Sequence, residues 1–69
     1  MGWRRWPIYR NVLVNLEDGR AFTGILYGRR GPLLILRQAE LIEPGQPPIA
    51  VDGEVIVERN RVSFIQVRP

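Results

Sequence analysis

Two alternating runs of residues meet at Asp18-Gly19, and no other feature constrains the fold as much. Before the junction, Val12, Val14 and Leu16 alternate with Leu13 and Asn15; after it, Phe22, Gly24 and Leu26 alternate with Ala21, Thr23 and Ile25. A period of two places successive side chains on opposite faces of a pleated strand. Asp-Gly between two such runs is a strong hairpin signal, because a type I′ turn needs positive φ at both central residues. The chain is therefore predicted to open with an antiparallel pair. Gly24, inside the second strand, is expected to mark a sharp bend or a close backbone approach.

The same reading extends along the chain. Gly28-Arg29-Arg30-Gly31-Pro32 is predicted to be a loop, and Leu33-Leu34-Ile35-Leu36 a buried strand extending as far as Ile42. Pro44-Gly45-Gln46-Pro47-Pro48 holds neither a ladder nor a helix. Strand character resumes from Ile49 to Val57, interrupted at Asp52-Gly53. Arg59-Asn60-Arg61 is a tight connection, and Val62 to Val67 a last strand. No stretch has helical periodicity with a cap. The expectation is an all-β domain over residues 11–69, a small, strongly bent, five-stranded antiparallel barrel, preceded by an N-terminal arm over residues 1–10.

A domain of 69 residues buries only about 60% of its unfolded surface. Such chains usually add disulfides, a metal or partner subunits. With 0 Cys and 0 His, disulfides and most metal sites are excluded, so no cofactor is expected and self-association is. The same absence removes the usual general base and the best nucleophile. Ser63 is the sole serine, and Glu17-Asp18 flank a turn where Asp serves the backbone. A binding or assembly protein is expected rather than an enzyme, with no small-molecule substrate. The longest uncharged apolar run, Gly31 to Leu36, is far short of the ~20 residues of a membrane span. The basic start is not followed by an apolar stretch of leader type. The expected setting is the cytoplasm, with no membrane partner.

All 10 basic residues are arginine, the residue whose codons are GC-rich. Charge is segregated: residues 38–58 hold five acids and no base, while 59–69 hold Arg59, Arg61 and Arg68. The net charge of +3 is too modest to argue nucleic-acid binding by itself. Trp3-Arg4-Arg5-Trp6-Pro7-Ile8-Tyr9-Arg10 interleaves aromatics with arginine. That mixture suits stacking on bases. It also suits docking on a neighbouring subunit, the reading preferred here because Trp is rarely left exposed.

The order Val12-x-Val14-x-Leu16-x-Asp18-Gly19-Arg20-x-x-x-Gly24-x-Leu26, followed by Leu34-Ile35-Leu36 and Ala39, resembles the first signature of Sm-like (LSm) proteins. Val55-Ile56-Val57, a short turn and Val62-x-x-Ile65 resemble the second. The resemblance spans residues 11 to 67. It implies a five-stranded bent barrel that forms rings by pairing the fourth strand of one subunit with the fifth of the next. The implied interface residues are Val55, Ile56, Val57, Val62, Phe64 and Ile65, to which the docking reading of the arm adds Trp3 and Trp6.

The chain also departs from the family pattern. The family's usual N-terminal helix has no counterpart in residues 1–10. The loop at Gly28–Pro32 lacks the Asp and Asn with which the family holds an RNA base, and Glu58-Arg59 stand where Arg-Gly is usual. Base-specific uridine recognition is therefore not expected. The resemblance places both of these loops at a central pore. Arg29, Arg30, Arg59 and Arg61 would then grip phosphates of RNA or single-stranded nucleic acid without reading bases, Tyr27 adding stacking and Asn60 a hydrogen bond. The alternative is a purely structural homo-oligomeric ring, a phage or other assembly component, with solvated loop tips and no nucleic acid. An isolated SH3-like adaptor is a third reading. The small size and arginine-only basic set look similar to Sm-like proteins of actinobacteria and their phages.

Overall fold

The computed structural model describes residues 6–69. Its elements are β1 (Asn11–Leu16), β2 (Ala21–Arg30), β3 (Leu33–Ile42), β4 (Ile49–Glu58), a single 3₁₀ turn (Arg59–Arg61) and β5 (Val62–Val67). All neighbours are antiparallel, in the order β4-β3-β2-β1-β5. Five strands are found where five were expected, with one difference: β4 runs through Asp52-Gly53, where an interruption was expected and a register shift against β3 is found.

The period-two pattern explains the core. Val12 and Val14 of β1, Leu26 of β2, and Leu34 and Leu36 of β3 are fully buried; Ala39 and Val57 complete the cluster. Each such Leu or Val contributes about 1.5–3 kcal/mol by leaving water. Phe22, Val55, Val62, Ile65 and Trp6 pack against the cluster from its margins.

The sheet bends along one line crossing three strands. Pairing of β2 with β3 shifts between Thr23 and Ile25, and pairing of β3 with β4 shifts between Arg37 and Ala39. Gln38 of β3, at φ 53, and Gly53 of β4, at φ 76, both fall in the gap of this second register shift. Such bulges sharpen local twist and curl the sheet. At Gly24 the strands approach so closely that a Cβ would lie 3.0 Å from the Arg37 carbonyl oxygen and 3.3 Å from the Ala39 Cα. The expected role of Gly24 is met as close approach.

Two expectations about turns are corrected. The first hairpin is not a two-residue type I′ turn. The Leu16 N–H donates to the Arg20 carbonyl at 2.8 Å and the Gly19 N–H to the Leu16 carbonyl at 3.2 Å, giving a three-residue loop, Glu17-Asp18-Gly19. Gly19 is at φ 93, while Asp18 keeps a negative φ. The physical reason is the Asp18 carboxylate, whose Oδ1 accepts from the Arg20 N–H at 3.0 Å and closes the turn locally. The second correction is that Gly28, Arg29 and Arg30 are strand, paired with Ile35, Leu34 and Leu33, so the loop shrinks to Gly31-Pro32. Gly31 at φ 51 takes the first central position of a two-residue hairpin, where glycine is required.

Residues 6–10 lie along β2. The Tyr9 N–H donates to the Leu26 carbonyl at 2.6 Å, and the Leu26 N–H to the Arg10 carbonyl at 3.1 Å. Trp6 and Ile8 thereby rest on this chain's own core. Trp6, expected to dock on a neighbouring subunit, packs at the margin of its own barrel. Trp3 lies outside the described residues.

Candidate phosphate-binding site

The turn after β2 and the 3₁₀ turn before β5 meet, because the Arg59 N–H donates to the Pro32 carbonyl at 2.7 Å. An open hollow between them is lined by Arg29, Gly31, Pro32, Arg59 and Asn60. Three of the residues singled out in the sequence thus come together. Register explains the direction of Arg29. It lies opposite buried Leu34, on the core-facing side of β2, but at the strand's end where the barrel opens.

The two arginines of the hollow also share a neighbour, Trp6. The Arg29 guanidinium carbon is 4.8 Å from the indole centroid and that of Arg59 is 5.6 Å away. Neither arginine has an ion pair among the described residues. Sequence reasoning gave Trp6 a place at a subunit interface and did not foresee its contact with these two arginines. The rarity of exposed Trp was a usable signal that it must be covered, but not of what covers it.

The other sequence-selected arginines behave differently. Arg61 donates from Nε to Glu58 Oε1 at 2.8 Å and lines a separate hollow with Leu16, Glu17, Asp18 and Arg20. Arg30 is exposed at the end of β2, opposite Leu33. Tyr27 belongs to another cluster. Its ring meets Tyr9 edge-on at 5.4 Å and 88°. Arg37 lies 4.6 Å from its centroid and is itself held by Glu54 through Nε and Nη2 at 2.9 and 2.7 Å. The bulge between Leu26 and Gly28 sets Tyr27 apart from the inward-outward alternation of β2.

The strand residues expected at an interface divide in two. Val57 is buried, and Val55, Val62 and Ile65 pack on the core. Ile56 of β4 and Phe64 of β5 are exposed by 58% and 55%, as are Ile49 and Val67 on the same two strands to a lesser degree. β4 and β5 end the strand order, each with a neighbour on one side only.

Among the described residues no cluster of three His, Cys, Asp or Glu is placed to hold a metal ion. No described helix is long and apolar enough to cross a membrane.

Comparison with known proteins places this geometry among solved structures. No family model matches the chain. No curated protein matches it either. A heptameric archaeal Sm protein is 33% identical over 91% of this chain and 91% of its own, with a TM-score of 0.78. The Pyrococcus abyssii Sm protein, solved in complex with a uridine heptamer, is 27% identical over 90% of this chain and 87% of its own, also at 0.78. A chain of the NatC complex bound to CoA shares the fold at 24% identity and a TM-score of 0.79, over 99% of this chain and 90% of its own.

Proposed function

The chain belongs to the Sm-like family, and from that premise we propose that it assembles into a closed homo-oligomeric ring that binds RNA or single-stranded nucleic acid through phosphates, with little base preference. The observation that carries the reading is the convergence of Arg29, Arg59 and Asn60 on one hollow, with both guanidiniums unneutralised by carboxylates among the described residues. Repeated around a ring, such sites form a belt of positive charge matched to a phosphate backbone. The two similar archaeal proteins support it, one a heptamer and the other solved with a uridine heptamer.

The ring closes through the two sheet margins, with exposed Ile56 of β4 and exposed Phe64 of β5 as its apolar anchors. Arg30 and Arg61 add to the field rather than to the grip, Arg61 being partly neutralised by Glu58. Tyr27 takes no part in the hollow. The role is one of binding and assembly rather than catalysis, exercised in the cytoplasm, and the arginine-only basic set points to a GC-rich genome of the actinobacterial or phage type. Exposed edges and anchors alone would also serve a structural ring without nucleic acid, and the salt dependence of binding separates the two. Affinity for an oligo-U or oligo-dT strand is expected to fall steeply with salt, with a shallower slope in the Arg29→Gln, Arg59→Gln variant. Absence of binding at low salt refutes the nucleic-acid reading.

A further inference from the structure

Five of the described arginines have a carboxylate or an aromatic ring beside them, and Arg37 has both, Glu54 and Tyr27. A guanidinium offers its N–H donors in its plane and its faces to aromatic rings. Arg20 has its edge occupied by Asp18, with Nε and Nη2 at 2.9 and 2.8 Å from Oδ2. Glu54 occupies the edge of Arg37 and Glu58 that of Arg61. Among the described residues, Arg29 and Arg59 lie over the indole of Trp6, at 4.8 and 5.6 Å, with no carboxylate at their edges.

That difference has a chemical meaning. Contact through the face restrains a guanidinium without using its hydrogen bonds, so the in-plane donors remain available for a phosphate, which takes them in bidentate fashion. Two cations over one ring also repel each other, and an anion bridging them removes that repulsion. Trp6 is well placed to be the fixed member. It packs on the core, and the segment behind it is tied to β2 by the paired hydrogen bonds of Tyr9 and Arg10 with Leu26.

We infer that Trp6 is a positioning residue for phosphate, an aromatic floor that holds Arg29 and Arg59 with their donor edges turned to a phosphate group. The inference rests on the phosphate-binding reading above and adds to it the residue that orders the two arginines. It gives the segment before β1 a role in ligand binding, beyond covering the barrel.

The test uses Trp3→Phe protein, in which Trp6 is the remaining indole of the two in the chain. Its emission is followed while inorganic tripolyphosphate, and separately oligo-dT, is titrated in. A saturable change that Arg29→Gln, Arg59→Gln abolishes is expected with both ligands. In the otherwise native chain, Trp6→Leu keeps apolar bulk without the aromatic face. It is expected to lose about three- to tenfold in affinity for tripolyphosphate, and Trp6→Phe to recover much of it. Emission that ignores tripolyphosphate overturns the inference. So does a folded Trp6→Leu variant that binds as tightly as the parent. If Trp6→Leu does not fold, the emission titration decides alone. Binding of tripolyphosphate but not of oligonucleotide would uphold the role of Trp6 and refute the nucleic-acid reading.

Discussion

At the scale of single residues, Gly24 and Asp18 show how narrow local requirements shape the barrel. A methyl group at Gly24 would meet backbone atoms of β3 at 3.0 and 3.3 Å, and backbone cannot swing aside as a side chain can. Gly24→Ala is expected to cost about 1–3 kcal/mol in urea unfolding, as overpacking does, and Gly24→Val more. Asp18 is held below the usual carboxylate range, first by the hydrogen bond from the Arg20 guanidinium and then by the Arg20 N–H. A carboxylate lowered in the folded state stabilises fully above its ordinary pKa and loses that contribution as pH falls through the lowered one. In acid the melting temperature should therefore decline less in Asp18→Asn than in the parent; parallel declines would show that the turn does not depend on this charge. The fully buried Val12, Val14, Leu26, Leu34 and Leu36 were legible because period two marks an inward face. The turn around Asp18 was not, since one side-chain acceptor decides between loops of two and three residues.

At the scale of elements, strand existence was legible throughout, and strand ends were not. Arg29 and Arg30 looked like loop residues because Gly and Pro surround them, yet cross-strand pairing with Leu34 and Leu33 carries β2 to Arg30. That extension turns Arg29 toward the barrel mouth, where Trp6 lies beneath it. The contact joins residues far apart in sequence, so no local pattern announces it. Glu58 likewise separates Arg61 from Arg59 although both sit on one 3₁₀ turn. The margins of the sheet make a sharper prediction. Phe64→Lys and Ile56→Lys, each at an exposed side chain, should leave the β-type circular dichroism spectrum intact. Each should shift the protein to monomer in sedimentation velocity. Unchanged sedimentation of both variants would exclude these side chains as anchors.

For the whole molecule, the described core is small, which fits a chain that needs partner subunits for stability. Native mass spectrometry at low ionic strength should find a closed oligomer carrying extra mass that nuclease removes. A clean oligomer would move the reading to a structural ring, and a monomer would remove the ring altogether. The bare margins also have a genetic consequence. Because β4 and β5 lie at opposite ends of one sheet, a contact between them is head-to-tail, and closure needs both margins of every copy. A Phe64→Lys copy that keeps a sound β4 would enter a growing arc and stop it. Co-expressed with the parent, it should act as a dominant poison, intact rings surviving only as the parental fraction raised to the number of subunits.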